Sequence, residues 1–342
     1  MGEINITFPA SSFPRRIGGV TVENPVWLAP LAGITVPSVR LFFRTLGAGL
    51  AHTEMISCAG LLHGSKKTLA MLRILDGERP VVLQLFAGDE RTLLEGALIA
   101  ASSSAFDAVG INMACPMPKV LKKGAGSRLL DRPEVAGAMV RSLAAAGLPV
   151  WVKTRKMPEN SPIGTLAFTE MLLEAGASHV CIHGRSPRQR YGGDSDRSVI
   201  LSVASAFPGM IAASGDVYSP DDVYDLLVGG CSAVFVARGS FRDPFLVPAA
   251  LHRCGFPVDK SLLGADPGRR IEKLLLLGDG LAAEEGERIA LLLLKRFLSG
   301  IFRGLCGASQ FRRTIALATT WESMRATLVD WKVFAERGEQ CD

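Results

Sequence analysis

Short apolar runs recur along the first 245 residues of the chain, and most are followed by a segment whose apolar positions return every three or four residues. The runs predict strands over 25–30, 50–55, 81–86, 108–113, 149–154, 179–183, 210–214 and 233–237. The segments between them predict helices over 36–46, 90–102, 132–146, 164–174, 197–206 and 220–228. Several of these close on glycine, as at Gly147, Gly176 and Gly229–Gly230, where a left-handed cap is expected. Eight strands alternating with helices make the α/β count of a (β/α)8 TIM barrel. A doubly wound open sheet also alternates, but it has fewer strands and wants a GxGxxG turn near its start, which this sequence lacks. After Asp243 the pattern changes: prolines at 244, 248, 257 and 267 punctuate a connecting segment. Helical spacing then runs over 269–277, 281–303, 310–319 and 321–336 with no strand signal. The expected organisation is a catalytic barrel over 1–245, a connector over 246–267 and a small C-terminal all-helical domain over 268–342.

The polar residues fall where a barrel would use them. Gln84, Asn112, Lys153, His183, the run Ser214-Gly215-Asp216 and Arg238 all lie within or just after the C-terminal ends of their strands. Each has an ordinary explanation alone: a buried lysine can be ion-paired, a histidine can be structural, and Asp216 can cap the next helix. In a barrel, however, these ends converge on one mouth, where sites of this fold are built. The fourth strand ends in Asn112-Met113-Ala114-Cys115-Pro116, a polar loop presenting one thiol between prolines and lysines. A cysteine is usually a small buried hydrophobe; at this mouth a reactive role becomes the better reading.

Composition adds bounds. With 342 residues and 48% hydrophobic content the chain can bury a large core. Its net charge of +5 permits a polyanionic partner without demanding one. Seven cysteines without CxxC pairs support neither a disulfide framework nor a metal site, and suggest a reducing compartment. Residues 1–13 lack the basic and apolar regions of a secretory signal, and no apolar run could span a bilayer. A cytoplasmic protein without membrane contact is expected.

The loops after the seventh and eighth strands, Ser214-Gly215-Asp216 and Ala237-Arg238-Gly239, suit a phosphate, because glycine lets backbone N–H groups approach and an arginine opposes the charge. Lys153 is placed to oppose negative charge on an electron-rich ring, and Gln84 and His183 to supply oriented hydrogen bonds. Reduced flavin mononucleotide has those requirements.

The sequence resembles the dihydrouridine synthase family, flavoenzymes that reduce uridine to 5,6-dihydrouridine in RNA, mainly tRNA. The matching stretches are Ala29-Pro30-Leu31-Ala32-Gly33, Thr53-Glu54-Met55-Ile56-Ser57, Gln84-Leu85-Phe86, Ile111-Asn112-Met113-Ala114-Cys115-Pro116 with Lys119-Val120, Gly124-Ala125-Gly126-Ser127, Val152-Lys153-Thr154-Arg155, Ile182-His183-Gly184-Arg185 and Ser214-Gly215-Asp216. The resemblance implies FMN as cofactor and NADPH or NADH as reductant. It places Pro30, Leu31, Ala32, Gln84, Lys153 and His183 at the flavin ring and ribityl chain, and Ser214, Gly215, Asp216, Ala237 and Arg238 at its phosphate. Cys115 corresponds to the family's proton donor. Asn112, Lys119, Arg155, Arg185, Gln189, Tyr191, Arg312 and Arg313 are the expected substrate contacts. Further cations at Lys122, Lys123, Arg188, Arg190, Lys295, Arg296 and Arg303 extend a surface able to follow phosphates.

Departures from the family pattern are small at the phosphate loops and larger on the substrate side. Ser214 stands where the family usually has Asn, and Ala237 where it has Gly. Arg155 continues into Lys156-Met157-Pro158, and the usual Asp-Trp pair becomes Asp196-Arg197. The helical region shows Phe311-Arg312-Arg313-Thr314 in place of the family's Arg-Lys-His-aromatic run. Three alternatives stay open: the same chemistry on another RNA such as rRNA; a flavin barrel reducing a free pyrimidine or small enone, since dihydroorotate dehydrogenases also pair FMN with a barrel; and a degenerate barrel that only binds RNA.

Overall fold

The computed structural model describes residues 8–263, 267–301 and 308–336. Eight parallel strands close into a barrel: β1 (Val26–Leu28), β2 (Leu50–Ser57), β3 (Val81–Phe86), β4 (Ala108–Met113), β5 (Val150–Arg155), β6 (His179–His183), β7 (Ile211–Ser214) and β8 (Ala233–Val236), with β8 pairing back onto β1. The expected TIM barrel is therefore the observed fold. Gly147, Gly176 and Gly230 take positive φ behind their helices, as the sequence suggests. Two helices begin where their caps dictate. Asp196 accepts from the Val199 N–H to start Arg197–Ala206, and Ser219 forms a capping box with Asp222 ahead of Pro220–Val228.

The lower interior of the barrel is aromatic. Trp27 stacks on Trp151 at 5.2 Å between ring centroids, His179 lies 4.6 Å from Trp151, and His52 lies 4.7 Å from Phe235. Burial depresses His52 and His179 to about 3, so both rings are neutral packing elements. An antiparallel hairpin, Arg15–Ile17 with Val20–Val22, plugs the N-terminal end, and its Gly18 carbonyl accepts from Trp151 Nε1 at 2.7 Å. This filled floor puts the room for a ligand at the opposite end of the barrel.

The stretch expected as a connector holds a helix, Leu246–Arg253, packed against Pro220–Val228 and β1. Pro248 does not break it, because it sits in the first turn, where its missing N–H has no intrahelical partner. The C-terminal helices Pro267–Glu284, Glu287–Ile301, Ala308–Leu317 and Trp321–Glu336 form one unit. Gly286, with φ +85°, separates the first two, so the break falls later than the apolar spacing implies. This unit is seated on the barrel through Phe297, which lies 6.3 Å from Phe42, 6.1 Å from Phe43 and 5.0 Å from Phe241. No helix among the described residues is long and apolar enough to cross a membrane.

Candidate active site

A cavity of about 390 Å³ opens at the C-terminal end of the strands. The register explains why. It sets Asn112 beside Lys153, and Arg155, His183 and Ser214 side by side on β5, β6 and β7. Of the residues singled out in the sequence, Pro30, Leu31, Ala32, Gln84, Asn112, Cys115, Lys153, Arg155, His183, Tyr191, Ser214, Gly215, Asp216, Ala237 and Arg238 all line it.

Cys115 is positioned by its backbone. Asn112 Oδ1 accepts from the N–H groups of Cys115 at 2.9 Å and Ala114 at 3.2 Å, while its amide donates to Gln84 Oε1 at 2.8 Å. From the other side, the Ser127 N–H donates to the Cys115 carbonyl at 3.0 Å, and Arg155 Nε donates to the Ala114 carbonyl at 2.7 Å. Gly126 makes that approach possible: its φ is +64°, and a Cβ there would lie 2.5 Å from the Cys115 carbonyl oxygen. Gly126→Ala is therefore expected to push the thiol loop out of place and lower activity at least tenfold while the barrel stays folded. Steady-state rates beside a circular dichroism spectrum check this.

The five described cysteines are free thiols, and four of them, Cys58, Cys181, Cys231 and Cys254, are buried. Cys115 alone among these reaches the cavity. Burial pushes its pKa up, against smaller opposing effects of the Met117 N–H and the Arg155 charge. The thiol is therefore protonated at neutral pH.

The cavity wall is also cationic. Lys153 Nζ lies 3.3 Å from Ser214 Oγ and 5.8 Å from the Phe235 ring, with no carboxylate partner among the described residues. Burial draws its pKa down, and Arg155 adds to this. Burial and the charges of Lys153, Arg155, Arg185 and Arg238 depress His183 to about 2, so its imidazole is neutral. His183 Nδ1 and Ser195 Oγ are buried without a hydrogen-bond partner. A lysine without a carboxylate partner, the orphaned His183 Nδ1 and an open cavity fit the FMN expected from the sequence, because a buried polar atom is costly until a ligand satisfies it.

Asp216, at φ +50°, is a hub at the cavity edge. Its carboxylate accepts from Arg185 Nη1 at 2.9 Å, Arg238 Nη2 at 2.9 Å and the Ser195 N–H at 2.9 Å. Burial pushes this carboxyl up, and the hydrogen bonds and cations outweigh that, holding it below the usual carboxylate range.

Two expected substrate contacts lie outside the cavity lining. Arg185 is 3% exposed; it forks onto Asp216 and donates to the carbonyls of Gly192 and Gly193, so its charge is consumed inside the loop after β6. Gln189 accepts from the Ser186 N–H at 2.8 Å and folds that same loop. Neither lines the cavity. Lys119 is exposed on the turn Pro118–Leu121 at the rim, and Arg312 and Arg313 lie on the helix Ala308–Leu317, away from the cavity wall. Lys295 donates to the carbonyls of Ala316 and Ala318 and closes that helix; Arg303 lies outside the described residues. Met55, Phe235 and Tyr218 also line the cavity. Met55 and Phe235 read as core apolar positions in the sequence, whereas Tyr218, two residues past Asp216, carries a signal that strand-end polarity alone does not pick out.

Residues 27–336 match the dihydrouridine synthase family. The chain belongs to that family. Among relatives, the probable tRNA-dihydrouridine synthase 1 of Synechocystis is 35% identical over 243 residues, covering 70% of this chain and 68% of that protein. The tRNA-dihydrouridine synthase B of Pseudomonas aeruginosa is 30% identical over 302 residues, covering 87% and 89% respectively. Among solved structures, a variant of NCR from Zymomonas mobilis superposes with a TM-score of 0.50 at 16% identity, over 72% of this chain and 92% of the other, a likeness of fold. In this dihydrouridine synthase family member, Asn112, Cys115, Lys153 and His183 line one cavity.

Proposed function

We propose that this chain is an FMN-dependent tRNA-dihydrouridine synthase that reduces the C5–C6 bond of uridine with NADPH or NADH. The observation carrying this reading is a protonated thiol, fixed by backbone contacts, in the same cavity as a lysine without a carboxylate partner. FMN, held by Gln84, Lys153 and His183 with Ser214, Gly215 and Arg238 toward its phosphate, would supply the hydride chemistry at uracil C6. Cys115 Sγ–H gives the proton to C5. Asn112 and Arg155 act through the loop, keeping Sγ where the base enters. Lys153 opposes negative charge at the cavity wall, and neutral His183 offers a ring N–H or a lone pair without adding a cation.

The names of the relatives support tRNA as the RNA. Lys119, Lys122 and Lys123 beside the thiol loop are exposed, as are Arg188 and Arg190 after β6, and they give the mouth a rim of cations for phosphate. The target base has to leave its stack to reach Cys115, at a cost of a few kcal/mol that loops of RNA reduce. Incubating the purified protein with FMN, NADPH and unmodified tRNA, then digesting the RNA for mass spectrometry, tests the reading: dihydrouridine at one defined position is expected. No dihydrouridine in tRNA would reject it, and turnover of free uracil instead would favour a small-molecule reductase.

A pH dependence follows from the same groups. A proton donor must be protonated, so uridine reduction should hold through neutral pH and fall only above the ordinary thiol pKa of about 8.5, because burial raises Cys115. With His183 neutral down to about 2, no second limb belongs to it between pH 5 and 8. A single-turnover profile falling with a midpoint near pH 6 would contradict this assignment.

A further inference from the structure

Five side chains alternate cation and aromatic across the rim of the cavity. The Arg155 guanidinium lies 5.8 Å from the Tyr191 ring centroid, and Arg238 lies 5.2 Å from Tyr191 and 5.8 Å from Tyr218. Arg242 closes the row at 5.7 Å from Tyr218. The row starts at the end of β5 and finishes on the turn Arg238–Arg242, which packs against the helix Glu287–Ile301 of the C-terminal unit. It therefore runs from the thiol cavity to the seam with the helical unit.

Tyr218 is the unexplained member. It is 41% exposed although it lines the cavity edge, and its backbone N–H is fixed by Asp222 Oδ2 at 2.9 Å, so the ring is carried on a stiff turn. Neither flanking guanidinium lies flush on it: elsewhere in the chain Arg253 covers Tyr224 at 3.7 Å, about 2 Å closer. Ring surface is thus left open beside two positive charges. Arg242 is exposed and forms no salt bridge among the described residues. A rigid exposed aromatic between cations matches the chemistry of a nucleobase with its phosphates, since bases stack on such rings and backbone charge is met alongside.

We propose that Tyr218 is the stacking shelf for a base neighbouring the target uridine, and that Arg242 takes the phosphate next to it. This rests on RNA being the substrate, as proposed above. The shelf holds the strand while its neighbour enters the cavity, and it guides the rest of the RNA toward the helical unit.

The test uses the full-length holoenzyme and a single-stranded oligoribonucleotide with 2-aminopurine on both sides of one uridine. Stacking on the shelf quenches 2-aminopurine fluorescence on binding to the wild type. Tyr218→Leu, which keeps the bulk, should abolish most of the quenching and weaken binding about tenfold, while Tyr218→Phe keeps both. Arg242→Gln should leave the quenching and lower the slope of log Kd against log salt by about one. Equal quenching by Tyr218→Leu and wild type, or none by the wild type, overturns the shelf. The dihydrouridine assay reports separately: quenching that depends on Tyr218 without dihydrouridine rejects the enzymatic reading and leaves the shelf standing.

Discussion

Replacing Cys115 with alanine should lower uridine reduction by about 10²- to 10⁴-fold, the usual contribution of a positioned proton donor. The reason it tests chemistry and not folding lies in the loop. Asn112 Oδ1 holds the backbone N–H of residue 115, and the Ser127 N–H holds its carbonyl; alanine keeps both. The lysine and the rest of the cavity wall are untouched, so cofactor retention and its reduction by NADPH should survive. Cys115→Ser should be nearly as inactive, because a hydroxyl gives up its proton far less readily than a thiol. Stopped-flow absorbance measures the reductive half-reaction, and single-turnover conversion of tRNA measures the other. If alanine at 115 still converts tRNA at the wild-type rate, the proton comes from elsewhere.

Much of the barrel is visible in the sequence because its signals are local. Arg197–Ala206 and Pro220–Val228 match their predicted bounds end to end, each carrying its cap in the preceding residues. The hairpin over 15–22 is not visible: each strand has three residues, too few for alternation to register, and its place is set by contact with Trp151. Five-residue helices, Cys58–Leu62 and Lys66–Ala70, escape for the same reason. Leu246–Arg253 is hidden by a proline that its first turn accommodates. At the site, polar residues on strand ends are legible because closure brings them together whatever the loops do. The loop contacts of Arg185 and Gln189 are not, since the loop that makes them is shaped by its own folding. Nothing in the spacing of Arg185 and Asp216 announces that they pair.

The wall of the cavity formed by Pro30 to Ala32 depends on a buried ion pair that has no other evident use. Arg40 and Glu78 are 1% and 0% exposed at their side chains and meet at 2.7 Å. Arg40 also donates to the Thr35 carbonyl at 2.8 Å and the Arg73 carbonyl at 2.9 Å, and Glu78 accepts from the Leu75 N–H at 2.6 Å. Thr35 in turn accepts from the Leu31 N–H at 3.1 Å through its hydroxyl, so the pair ties the loop after β1 to the loop before β3. Glu78→Ala removes one charge and leaves a guanidinium in the core, a change that costs about 3–5 kcal/mol in comparable sites. The expected result is a clear drop in the denaturant midpoint together with weaker FMN retention. An apolar double replacement, Arg40→Met with Glu78→Leu, should recover much of the stability, because neither charge then needs solvation. It should not recover the FMN retention, since Glu78→Ala leaves the Arg40 donor to the Thr35 carbonyl without its anchor and the double variant removes that donor outright. Wild-type stability in Glu78→Ala would show that water reaches Arg40, and full FMN retention in the double variant would show that the wall stands without it.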